Sequence, residues 1–185
     1  MIDDKKIDLI IQFALLVAGQ EDDFFSRKLG PIHLLKYVYL ADVYYAEKHV
    51  GETFTDTDWV FFNFGPWSPY VHSRIEPSLQ YIRAEKDNFE SKYGGDVTRW
   101  YKTDDDLLSR CRRSLPSEIT VRLKNDVHKY LTDTPSLLDY VYKTKPMLVA
   151  APSSRLDFTV VRNEVVSETL EEASYTKLVM LFDRS

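Results

Sequence analysis

The chain has 185 residues, 44% hydrophobic and 29% charged, with a net charge of −5, twelve Tyr and ten Phe. This balance excludes a disordered segment and fits one domain with a substantial core, while the negative charge disfavours non-specific nucleic-acid binding, whose affinity comes from Lys and Arg on phosphates. A single cysteine, Cys111, excludes an internal disulfide, and no Cys and His set has zinc-ligand spacing, so a reducing cytoplasm is the expected compartment.

Ile7, Ile10, Ile11, Ala14 and Val17 keep helical spacing while Leu9, Phe13 and Leu16 fill a second face, which predicts a first helix apolar almost all round. Gln12 interrupts this run and no small-residue cleavage site follows it, so no signal peptide is expected. Residues from Glu21 to Gly30 read as a polar connector, after which Pro31 opens a second helix running to about His49 and stopping at Gly51. Lys36 and Asp42 lie inside that helix, so neither apolar run supplies the roughly twenty uninterrupted residues that a membrane span needs. Thr55 to Thr57 reads as a turn and Trp59 to Phe62 as a short strand or an extended entry to the Gly-Pro segment that follows.

The segment Asn63 to Val71 then concentrates Gly65, Pro66, Pro69 and several aromatics into a stiff corner, with Ser68 as N-cap and Pro69 as the first helical residue. Val71, Ile75, Leu79 and Ile82 keep helical spacing, but Pro77 removes an amide donor and predicts an end or kink near Ile75 or Glu76. Tyr81 to Glu85 and Val97 to Lys102 are expected to form a β-hairpin around Gly94-Gly95. Asp104 to Arg113 fits a short helix, Ser117 starts another with the stripe Ile119, Leu123, Val127, Tyr130 and Leu131, and Thr134-Pro135 opens one that stops before Pro146. Pro152 to Ser154 reads as a loop, and Phe158 to Val166 has strand-like residues. The fold class expected is mainly α (α+β), a single helical domain over residues 1–150 with a small hairpin or short sheet. Residues 151–185 are expected to be a C-terminal extension packed on it or continuing it.

Leu34 to Asp42 with Lys36 and Tyr39 inside it, then Gly51 and Phe54, then Trp59 to Phe64 leading to Gly65-Pro66, together resemble the Panacea domain, the antitoxin family that includes SocA-like proteins. A fainter likeness follows at Leu138 to Pro146, ending in Thr144-Lys145-Pro146. The resemblance spans about residues 27–147, and its specific part is Leu34 to Tyr70. Trp67 departs from it, standing where the family has a smaller apolar residue, and the C-terminal tail has no counterpart. The resemblance implies a mostly helical, bacterial or phage-associated protein of a toxin-antitoxin system. Such a protein binds a protein toxin directly and neutralises it, or presents it to a protease as a second partner. It brings no catalytic residues and no cofactor.

Other chemistry is thinly represented. Cys111 lies among Arg110, Arg112 and Arg113, which could lower a thiol pKa, although a lone helical cysteine is ordinarily inert. His33, His49, His72 and His128 lack ligand spacing, and Asp56 and Asp58 fit turn acids bonding local amides better than a carboxylate pair. No enzyme and no metal site is expected. Lys36 and Asp42, six apart, fall about 240° apart on a helix and need different partners. Lys36 is expected to keep its head wet, and with His33, on the same face, to border a groove. The residues expected to face a partner are Lys36, Tyr39, Asp42, Phe64, Gly65, Pro66, Trp67 and Tyr70, with Trp67 and Tyr70 foremost because they sit on stiff backbone. The alternative reading is a nucleic-acid-binding regulator using the basic face from Arg110 to Lys124. Homo-oligomerisation stays open.

Overall fold

The computed structural model describes residues 3–63, 65–90 and 96–161. Among these, seven α-helices and two short antiparallel strand pairs make a mainly α structure with a small sheet component. Helix α1 (Asp4–Ala18) and helix α2 (Pro31–Lys48) form its centre, α1 packing on α2 and on three further helices, α3 (Pro69–Tyr81), α4 (Asp105–Ser114) and α5 (Ser117–Tyr130). Both central helices are buried nearly all round, as the absence of a polar face in their sequences requires. Each fully buried Ile, Leu or Phe along α1 contributes about 1.5–3 kcal/mol relative to exposure. No helix among the described residues is long and apolar enough to cross a membrane.

Helix starts follow the cap chemistry. Asp3, Ser68 and Asp104 accept from the Lys5, Val71 and Leu107 amides to begin α1, α3 and α4, and Pro31 and Pro69 sit in the first turns of α2 and α3. At α6 (Thr134–Tyr142) the cap is Asp133 rather than Thr134, its carboxylate accepting from the Ser136 amide and hydroxyl. Helix α7 (Lys145–Val149) follows with Pro146 in its first turn.

Three expectations are corrected. Of the end or kink expected at Pro77 the end is absent: helix α3 continues to Tyr81, where Leu79 is buried and the Ser78 hydroxyl and carbonyl bond Asp8 and Gln12 of α1. Tyr81 therefore belongs to a helix, and the first arm of the hairpin is β3 (Glu85–Glu90), paired with β4 (Asp96–Tyr101) after Arg83 turns the chain at φ 55°. Phe158–Val161 is a 3-10 turn, not a strand, since the Asp157 carboxylate accepts from the Thr159 amide and hydroxyl and satisfies locally what a sheet would have bonded. The remainder of that expected strand lies outside the described residues. Residues 151–161 pack on the helical body, where Leu156, Phe158 and Val161 join the core.

Candidate functional site

The Gly-Pro corner is a second, much tighter hairpin. Strand β1 (Val60–Phe61) pairs antiparallel with β2 (Pro66–Trp67), Val60 opposite Trp67 and Phe61 opposite Pro66. The Phe62 amide donates to the Gly65 carbonyl at 3.0 Å, and positive φ at Asn63 (36°) and Gly65 (97°) lets the chain reverse within so few residues. The other edge of β1 is also covered: Phe61 exchanges bonds of 2.8 Å with Ser154 and Ser153, and the Leu156 amide donates to the Trp59 carbonyl at 2.8 Å.

The two charges inside α2 hold the approach to β1 and the strand β2. Asp42, fully buried, accepts from the Thr55 amide (2.9 Å), the Thr55 hydroxyl (2.6 Å) and the Trp59 indole (2.8 Å), fixing the segment that leads into β1. Burial pushes its carboxyl up to about 6 despite these donors. Lys36 donates to the Pro66 carbonyl of β2 at 2.7 Å. It is 2% exposed, so its head is not in water as expected, and burial pushes it down to about 8. Between the two charges Tyr39 meets Thr144 at 2.7 Å through its hydroxyl and stands edge-on to Trp59, ring centroids 5.4 Å apart. Successive steps of three residues rotate each side chain back by about 60°, so Lys36, Tyr39 and Asp42 lie along one slowly turning ridge.

Between α2 and the hairpin lies a cleft of about 290 Å³. Pro31, Ile32, Leu35 and Lys36 line it from α2, and Phe62, Asn63 and Trp67 from the hairpin. His72 of α3 completes the lining, its ring 5.0 Å from that of Trp67. Phe62 is half-exposed beside it. The tip is braced from α6, where the Tyr142 hydroxyl donates to the Asn63 carbonyl at 3.2 Å and its ring stands edge-on to Phe61.

The expected site residues thus separate. Lys36 and Trp67 share the cleft. Tyr39, Asp42, Gly65 and Pro66 are buried, so the expectation that they meet a partner is corrected: they build the hairpin and its support from beneath. Tyr70 is on a different surface, its hydroxyl donating to Asp4 at the α1–α3 seam beside the Arg74–Asp8 ion pair. Phe64 lies outside the described residues. His33 does not border the cleft. Its Nδ1 accepts from the Gly30 amide at 3.2 Å, which puts the proton on Nε2, 2.9 Å from the Thr134 hydroxyl. The sequence reading missed Ile32, Leu35, Phe62, Asn63 and His72, although Ile32, Leu35 and Lys36 carry the i, i+3, i+4 spacing of one helical face.

The remaining candidates have structural partners. Cys111 is buried, and desolvation pushes its thiol up against the opposing effect of Arg110. Arg122 leaves the basic face to pair with Glu47 of α2, its guanidinium 3.7 Å over the Tyr44 ring, while Arg112 and Arg113 end α4 where its dipole favours cations. Asp58 pairs with Arg155 on the surface. A network invisible in sequence joins Tyr44, whose hydroxyl donates to Asp126, with the Tyr140 hydroxyl 3.0 Å away. Among the described residues no group of His, Cys, Asp and Glu converges as a metal site. The chain matches no family model, and comparison with curated proteins and with solved structures likewise gave no match.

Proposed function

We propose that this chain is an antitoxin-like protein that neutralises a partner toxin by direct contact, either by occluding it or by handing it to a protease, and that the cleft beside the β1–β2 hairpin is where contact is made. The observation that carries the reading is an apolar cleft rimmed by half-exposed Phe62 and walled by a hairpin held from α2, from α6 and from residues 153–156. A rim already fixed in place loses little conformational freedom when it binds, so its aromatic area converts efficiently into affinity. The resemblance over Leu34 to Tyr70 supplies the toxin as partner, and the residues that carry it, Lys36, Tyr39, Asp42 and Gly65-Pro66, are those that build this wall.

Co-expression tests the reading. The product of an adjacent reading frame is expected to arrest growth alone and to be neutralised by the full chain. Phe62→Ser and Trp67→Ala, with unchanged thermal melts, are expected to abolish neutralisation, each weakening binding by roughly tenfold or more. A neighbour harmless by itself or toxic regardless of this chain counts against the proposal, as does full rescue by both variants.

A further inference from the structure

Among the described residues Lys36 is a cation without an anion. It is 2% exposed, it donates to one uncharged partner, the Pro66 carbonyl, and no carboxylate of the described residues forms an ion pair with it. An ammonium has three N–H groups to satisfy, and a buried charge is costly until it is compensated. Lys36 nevertheless lines the cleft, whose other walls include Ile32, Leu35, Phe62 and Trp67.

We infer that the cleft receives the free C-terminus of a partner polypeptide, its last side chain packing on Ile32, Leu35 and Trp67 and its terminal carboxylate meeting the Lys36 ammonium. The inference rests on the protein-binding reading above and specifies which part of the partner is held. Size and chemistry select this occupant together. At about 290 Å³ the cleft sits at the small end of ligand sites, which begin near ~300 Å³, so it admits one or two residues and not a helix or a strand. An internal Asp or Glu would bring a carboxylate without an apolar body, and an internal Leu or Phe the reverse. Only a chain end carries both on one residue. Asn63 and His72 in the same lining offer amide and imidazole groups to the last peptide unit. Burial pulls the Lys36 ammonium down to about 8, since no counter-ion among the described residues offsets its desolvation.

The test is calorimetric titration of the full chain with N-acetylated pentapeptides ending in leucine, phenylalanine or tryptophan, each as free acid and as C-terminal amide. At least one free acid is expected to bind roughly tenfold or more tightly than its amide, as a hydrogen bond to a charged group gives. Lys36→Met is expected to lower the acid to the level of the amide. Equal binding of acid and amide overturns the inference, and so does binding of none of the six peptides. N-acetylphenylalanine binding as tightly as the pentapeptide overturns the chain end as occupant in favour of a small carboxylic acid. Where Lys36→Met loses its cooperative melt, the acid-to-amide ratio on the native chain decides by itself. Toxin rescue combined with equal acid and amide binding sinks this inference and leaves the protein-binding reading standing. Acid preference without rescue does the opposite, removing the toxin as partner.

Discussion

His33 ties the start of α2 to α6 through both ring nitrogens, accepting from Gly30 and donating to Thr134, and only the neutral ring can do both. Burial, aided by the charge of Arg99, holds its folded pKa near 4, against 6.5 in an unstructured chain. Between those values the unfolded chain binds more protons than the folded one, so stability falls as pH drops from 6.5 and levels off below 4. The loss is about 3 kcal/mol across that window. Asp42 acts in the opposite direction, because its folded carboxyl titrates near 6 rather than 3.8 and folding gains as pH falls between them. Urea unfolding of native chain and His33→Gln at pH 7 and pH 4.5 separates the two, and the variant is expected to lack the His33 loss. Asp42→Ala strands three buried donors, on Thr55 and Trp59, and is expected to cost about 3 kcal/mol or more in the same measurement at pH 7. That Lys36 and Asp42 need separate partners was readable from their spacing. That those partners are the segment entering one hairpin and its return strand was not, because Thr55, Trp59 and Pro66 are brought to α2 only by folding.

Among the elements, α3 shows a local rule losing to tertiary contact. Pro77 withholds a helical hydrogen bond, yet its own side chain is exposed and the helix is secured on either side by Arg74–Asp8 and Ser78–Asp8. Pro77→Ala is therefore expected to stabilise the fold by about 2 kcal/mol, the helix gain of about 3 less the unfolded-state entropy that proline removes. A thermal melt shifted downward would contradict this account. Glycines 51 and 65 offer a contrast of magnitudes at similar φ, +87° and +97°. A Cβ at Gly65 meets nothing closer than 3.7 Å, so Gly65→Ala should cost only backbone strain, about 1–2 kcal/mol. A Cβ at Gly51 would sit 2.7 Å from the Thr159 Cα, backbone that cannot swing aside, and Gly51→Ala is expected to cost about 3 kcal/mol by urea unfolding. Gly51 as the stop of α2 was legible in the sequence; its contact with the turn at Phe158–Val161 was not.

Across the whole molecule, residues 151–161 belong to the cleft's support as well as to the core. Ser153 and Ser154 bond β1, Leu156 bonds Trp59 just before it, and Phe158 packs 5.8 Å from Tyr39, ring to ring. A chain ended after Ala150 is expected to lose several kcal/mol with the buried contacts of Leu156, Phe158 and Val161 and to bind no partner, with a broadened thermal transition as the measurement. The sequence by itself determined the helical class, the two buried central helices, the Ser68 cap with Pro69 behind it and the stiff Gly-Pro corner, because apolar periodicity, capping residues and Gly-Pro chemistry act over a few neighbouring residues. Tertiary structure alone decided that α3 runs through Pro77, that Tyr39 and Asp42 lie beneath the surface rather than on it, and that Ile32, Leu35, Phe62 and His72 close on one cleft with Lys36. Each of those outcomes depends on contacts between residues distant in the chain, whose free energy exceeds the local preference that a linear reading can weigh.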